Sequence, residues 1–176
     1  MLFRSRLRSA ALRYARGGWA VLPESVVDLS QASVDPDQIA AWWPRSLSRA
    51  QPQQAICLPT GRGFDVLDVS TVLGAHAMRI LECGPRPYPA AIRTRDRWLF
   101  FTAPLQSGRE PIWDPELDIL HRGSGGVVQA PPSPGAGHWV WHWELRHHCL
   151  PAVTTVLEAL IAANRVAVEG TYQEAI

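Results

Sequence analysis

Lysine is missing from these 176 residues altogether, so all 17 basic side chains are arginine. With the many alanines, glycines and prolines, that bias reflects GC-rich coding rather than a particular chemistry. Cysteine is scarce: Cys57, Cys83 and Cys149 are scattered, with no C-x-x-C pair, which excludes a disulfide framework and a zinc knuckle. Long apolar runs are absent too. Arg, Pro or Gly interrupts every apolar stretch before the ~18 residues a membrane-spanning helix needs, so no membrane association is expected. The arginine-rich opening has no apolar stretch behind it, as a secretory signal requires, and the chain therefore reads as cytoplasmic. What is present suits a packed domain. Hydrophobic residues make up 47% and charged residues 19%, enough for a real core and too apolar for wholesale disorder. The length fits one domain over 1–164, with a tail over 165–176 of uncertain structure. Net charge is only +1 but unevenly spread: residues 1–23 carry five Arg and no acid, and the other 12 Arg face 16 acids. A basic opening segment can touch phosphates, or it can simply be a solvated helix face.

Periodicity divides the chain into mixed elements. Leu7, Ala10, Ala11, Tyr14 and Ala15 make one apolar face of a helix over Ser5 to Arg16, stopped by Gly17 and Gly18. A short strand follows from Trp19 to Leu22. Asp35 caps a second helix with Pro36 at its first position. Ala55–Leu58 and Phe64–Val69 read as a hairpin around Pro59–Gly63, and Thr71–Leu81 as a helix capped by Ser70 or Thr71. Ala90–Arg93 with Arg97–Thr102, and Leu117–Leu120 with Gly126–Ala130, read as two strand pairs. His138–Leu145 alternates strictly, and Pro151–Asn164 carries a helical apolar stripe. The class is therefore α+β, with helices flanking a mixed, mostly antiparallel sheet.

Several features invite a functional reading beside a structural one. Trp139, Trp141 and Trp143 share one strand face and can either stack on nucleic-acid bases or pack as core against the terminal helix. His138, His142, His147 and His148 are poorly spaced for a metal. Residues four apart on a strand are separated by ~13 Å, so these read as surface histidines. The turn Pro59–Gly63 can cradle a phosphate with backbone N–H groups or be a plain turn; it has neither the Lys nor the following helix of a P-loop. Cys57, inside an apolar strand, reads as an inert buried thiol. Arg93, Arg95 and Arg97 alternate and can grip phosphates, with Arg62 nearby in the glycine turn.

Taken in order, these pieces resemble the bifunctional DNA primase/polymerase N-terminal (Prim-Pol) domain of the archaeo-eukaryotic primase superfamily. The stretch from Ala11 to Pro23 resembles the family's opening helix and first strand, and Ile39 to Trp43 the next helix with its Trp pair. Ala55 to Gly61, followed by Val66–Ser70, resembles the strand, turn and first acidic motif. Leu117–Ile119 resembles the last acidic motif. Gly125 to Ser133 resembles its Val-Val-x-Ala-Pro-Pro-Ser strand, and Gly137 to Trp141 the closing Gly-x-Tyr-x-Trp. The resemblance covers roughly residues 10–143 and is similar to the short stand-alone forms of actinomycetes.

The resemblance implies a nucleotidyltransferase site. Joining a nucleotide to a 3′ hydroxyl uses two divalent ions, Mg or Mn, on hard carboxylate ligands. The family places two Asp two apart on one strand face, a third on a neighbouring strand, and a His that holds the triphosphate. Asp68 and Asp118 match the first and third acids, with Glu116 beside Asp118 as a further possible metal ligand. The second acid is Ser70, which lacks the charge, and the His position is Trp98, which has one donor and no charge. Asp65, three residues from Asp68, faces the other side. The segment from Pro23 to Asp35 is too short for the family's cysteine- and histidine-bearing insertion. Losing a charge-stabilising group typically costs about 10²–10³ in rate. The expectation is a catalytically impaired domain that binds DNA or nucleotide through Arg62, Ser70, Arg93, Arg95, Arg97 and Trp98, with a replication protein as a further candidate partner. Two alternatives stay open: a weakly active metal-dependent primase using Asp68, Glu116 and Asp118, and a protein–protein module on a re-used fold.

Overall fold

A computed structural model describes residues 2–44, 54–84, 89–105, 115–141 and 150–173. Helix α1 spans Leu2–Arg16 and buries Leu7, Ala11, Tyr14 and Ala15. It ends in a Schellman turn: Gly18, at φ 85, lets the Trp19 amide return to Tyr14 O at 3.0 Å and its own amide reach Ala15 O at 2.9 Å. Strand β1 is Leu22–Pro23, and α2 is Pro36–Trp42. The Asp35 side chain caps α2 through the Asp37 amide at 3.0 Å, as its sequence predicts. Arg8 of α1 closes the other end of α2, donating to Ala40 O at 3.2 Å and Trp43 O at 3.1 Å.

The remaining elements are β2 (Ile56–Pro59), β3 (Asp65–Ser70), α3 (Thr71–Cys83), β4 (Ala91–Arg93), β5 (Arg97–Thr102), β6 (Leu120–Arg122), β7 (Val127–Ala130), β8 (His138–Trp141) and α4 (Val153–Gln173). They build two antiparallel sheets. One has the order β1-β2-β7, the other β6-β3-β5-β4-β8. With four α-helices and two antiparallel sheets among the described residues, the fold is α+β.

Two pairings differ from the sequence expectation. β2 and β3 are not a hairpin, because β2 pairs with β1 and β7 while β3 pairs with β5 and β6. All four residues of β2 and all but the last of β3 are buried. Each is thus a central strand already satisfied on both edges, and the turn between them carries the chain from one sheet to the other. β6 and β7 do not pair with each other either: each is an edge strand, and they belong to different sheets. β6 begins at Leu120, not Leu117; residues 115–117 form a 3-10 turn. The terminal helix continues to Gln173, through the expected boundary at 164. His142, Trp143, His147, His148 and Cys149 lie outside the described residues.

The alternation of β3 fixes which layer each side chain joins. Val66 lies with Leu99, Phe101 and Ile92 in a core shared with α1, α2 and the three-stranded sheet. Leu67 and Val69 lie with Trp98, Phe100 and Ala91 in a second core under α3 and α4. Asp68 and Ser70 belong to the first face, Asp65 to the second.

Candidate active site

Asp68 sits in the middle of β3, opposite Leu99 on β5 and Leu120 on β6. Its side chain is only 5% exposed. A carboxylate that deep must be compensated, and two arginines do it. Arg97 opens β5 opposite Ser70, so it projects from the same face as Asp68. It donates Nε to Asp68 Oδ1 at 2.6 Å, and Nη2 to Asp68 O at 2.9 Å and to Asp118 O at 3.2 Å. Its Nη1 donates to Asp118 Oδ2. Arg122, at the end of β6, grips the other oxygen of Asp68 with Nε at 3.0 Å and Nη2 at 2.6 Å. Asp118 comes from the turn before β6 with φ 49, a left-handed conformation that Asp tolerates better than most residues. Desolvation pulls the Arg97 pKa down. Hydrogen bonds and charge from Asp68 and Asp118 outweigh that, and the net shift is upward.

Arg97 is held from behind as well. Thr94 Oγ1 accepts from the Arg97 amide at 3.0 Å, and the Thr94 amide donates to Arg97 O at 2.9 Å. This closes the turn that carries Arg95 and Asp96. Those two form only an exposed 4.0 Å ion pair, with Arg95 95% exposed.

The other anticipated site residues disperse. Trp98, read as a nucleotide contact at the family's His position, pairs with Val69 and therefore faces the opposite layer. It is buried there, stacked on Phe100 at 5.7 Å between ring centres, and its Nε1 has no hydrogen-bond partner. Arg93 lies over the Trp98 ring on that same far face, 5.9 Å from its centre. Ser70 does not stand in for a metal ligand; its hydroxyl accepts the Leu73 amide at 3.4 Å and caps α3. Arg62 lines a small cavity with Trp19 and Phe64. Arg93 and Arg97 project from opposite faces of the sheet. Glu116 is exposed in the 3-10 turn rather than sharing a strand face with Asp118.

In the turn Pro59–Gly63 two of the four amides that could cradle a phosphate are already used. Thr60 N donates to Gly126 O at 3.0 Å and Gly61 N to Phe64 O at 2.8 Å. Gly61, at φ 90, allows the turn to lie against Ser124, whose Cα is 2.2 Å from where a Cβ would stand.

Two features were missed from sequence. Arg122 is one; only its position at the end of a strand flanking β3 gives it meaning. The other is a contact of Asp65 on the far face, where Oδ2 meets His121 Nε2 at 3.0 Å and the Leu105 amide at 2.8 Å.

The donor set does not fit a pair of divalent ions. Such a site needs surplus negative charge and free carboxylate oxygens. Here both oxygens of Asp68 accept from guanidinium groups, and the two carboxylates of Asp68 and Asp118 are matched by the two charges of Arg97 and Arg122. Among the described residues no three His, Cys, Asp or Glu side chains are grouped as a metal site.

The motifs that carry the family resemblance prove to be joints of the scaffold. Ser133 Oγ accepts the buried Ile56 amide of β2 at 2.8 Å. Pro131 O accepts from the Tyr14 hydroxyl, which in turn accepts Trp139 Nε1 at 2.7 Å. Trp139 packs against Phe101 and Tyr14, at 5.1 and 6.1 Å between ring centres, and so toward α1 rather than the terminal helix. Gly137, at φ 76, lies where a Cβ would come within 2.2 Å of Arg93 O. Among the described residues no helix is long and apolar enough to cross a membrane.

Comparison with curated proteins finds no match. The profile of the family described as "Bifunctional DNA primase/polymerase, N-terminal" matches residues 11–153, and the chain belongs to that Prim-Pol family.

Proposed function

We propose that this chain is a Prim-Pol domain whose catalytic centre has become an internal ion-pair cluster, and that it acts by binding nucleotide or nucleic acid without polymerising it. One observation carries the reading: Arg97 and Arg122 occupy Asp68, the carboxylate that would have to hold metal. The family supports nucleotide or nucleic-acid binding in general terms. The missing second acid at Ser70, with its hydroxyl committed to α3, points the same way.

No step of phosphoryl transfer is assigned to these residues. An ion at Asp68 would have to displace two guanidinium groups, one of them bidentate on a single oxygen. Primer extension with Mn²⁺ and all four dNTPs tests the reading. The expected result is no templated incorporation above the level of an Asp68→Ala variant. Incorporation by the wild type that disappears in Asp68→Ala contradicts it and restores a weak metal-dependent enzyme.

A further inference from the structure

The two carboxylates of the ion-pair cluster are not equally fixed. The Asp68 side chain is 5% exposed and the Asp118 side chain 67%. Asp68 is gripped from both flanking strands, by Arg97 on β5 and Arg122 on β6. Among the described residues the Asp118 carboxylate is held by one group alone, Nη1 of Arg97. The Asp118 backbone carbonyl separately accepts Nη2 of the same guanidinium at 3.2 Å. The turn therefore stays anchored to Arg97 when its carboxylate moves away. An exposed ion pair shifts an equilibrium by no more than about fivefold, whereas breaking a buried one is far costlier. An external anion can thus compete with Asp118 but not with Asp68.

The donors that remain when Asp118 leaves suit an oxyanion. Nη1 of Arg97 is released, because Asp118 is its partner. Nη1 of Arg122 makes no hydrogen bond among the described residues, and that side chain is 38% exposed. The two guanidiniums take opposite oxygens of one carboxylate, so they are neighbours. With Asp118 in place, two guanidiniums and two carboxylates cancel; without it, one positive charge is in excess. A terminal phosphate carries about −1.5 to −2 at pH 7 and offers three strong acceptor oxygens. It gains more from two guanidiniums than a carboxylate gains from one. The arginines themselves supply the positive charge, so this binding does not call for a metal ion.

We propose that Asp118 is an internal stand-in for phosphate: its carboxylate occupies Arg97 in the resting protein, and a terminal phosphate displaces it to bind Arg97 and Arg122 without metal. The proposal rests on the binding function proposed above and names the site and its gate. The ligand is a terminal phosphate or polyphosphate, of a free nucleotide or of a 5′-phosphorylated strand.

The test is calorimetric titration in EDTA of pyrophosphate, dATP and an oligothymidylate with and without a 5′ phosphate. The proteins are wild type, Asp118→Asn and Asp96→Asn. Asparagine tolerates the left-handed backbone at position 118, so that variant removes the charge and keeps the turn. Asp96→Asn removes the same charge from the exposed turn before Arg97, where the side chain is 81% exposed. Asp118→Asn is expected to bind at least one of the phosphate ligands about fivefold more tightly than wild type, and Asp96→Asn to match wild type. Adding Arg122→Gln to Asp118→Asn should abolish the gain; the two Asn variants still decide the matter where the double variant fails to fold. A gain for pyrophosphate and dATP identifies a free polyphosphate as the ligand, and a gain confined to the phosphorylated strand identifies a strand end. No gain in Asp118→Asn, or an equal gain in Asp96→Asn, overturns the gate, while oligonucleotide binding by the wild type still upholds the binding function. A gain that appears only when Mn²⁺ replaces EDTA overturns the gate as well. Failure of every ligand to bind any of the three proteins overturns both the gate and the binding function.

Discussion

In an acidic metal site, removing one carboxylate relieves repulsion and stabilises the metal-free protein. Asp68 should behave in the opposite sense, since its loss leaves Arg97 and Arg122 facing a partly buried gap. Breaking a buried ion pair from one side costs about 3 kcal/mol, and Asp68→Ala should lower stability by that order in urea unfolding without metal. A stabilised Asp68→Ala protein would show that the arginines do not compensate the carboxylate. Arg97→Gln should be costlier than Arg122→Gln, because Arg97 joins Asp68 to Asp118 and Arg122 meets Asp68 alone. Tyr14 offers a pH-dependent check. Its pKa is raised from the ordinary 10 to about 12, chiefly by burial. The linked stability is complete below pH 10, where folded and unfolded states both hold the proton. It is lost as pH rises toward about 12, where the unfolded chain has released it. Tyr14→Phe should cost about 1 kcal/mol at neutral pH through its lost hydrogen bonds. The variant should also lack Tyr14's share of the decline between those pH values, measured as urea midpoints across the window.

Helices were far more legible than strand partners. Asp35, Ser70 and the Gly17–Gly18 pair act within a few residues of where they stand, so their caps and stops follow from local chemistry. Alternation in β3 and β5 likewise gives the two faces. It does not give the neighbour, and that is why β2 and β3 look like a hairpin while lying in different sheets. Trp98 shows the cost of a one-residue step on a strand: Arg97, not Trp98, shares the face of Asp68. The Trp98 ring instead reaches α3 at Gly74, where an added Cβ would stand 2.4 Å from its Cγ. Alanine is the better helix former by about 1 kcal/mol, yet Gly74→Ala should destabilise by about 1–3 kcal/mol through overpacking. Trp98→Leu should partly relieve that penalty, so a double-mutant cycle should return strong coupling. Independent, additive effects would mean that the ring and α3 are not in contact.

Across the whole molecule, the resemblance was readable because its motifs are the joints of the scaffold: Ser133 on β2, Pro131 on Tyr14, Trp139 on Tyr14. The ion-pair cluster was not. Arg97 and Arg122 are 25 residues apart in sequence and meet at Asp68 only because β5 and β6 flank β3. Cys57, buried on β2, reports on the integrity of that assembly. Burial and then the charge of Glu24 push its thiol up to about 11, so it is unreactive as well as shielded. In a Cys83→Ser/Cys149→Ser protein, labelling of Cys57 by a thiol reagent at neutral pH should proceed only at the rate of global opening; prompt labelling would mean that the two sheets separate more easily than this packing implies. The central claim, that guanidinium groups have taken the place of metal at Asp68, is met most directly by calorimetric titration of Mn²⁺, with and without dATP, into the wild type, Asp68→Ala and Arg97→Gln/Arg122→Gln. The account predicts no Mn²⁺ binding that depends on Asp68 in the wild type, and new binding once both arginines are removed. Saturable Mn²⁺ binding by the wild type that vanishes in Asp68→Ala would contradict it.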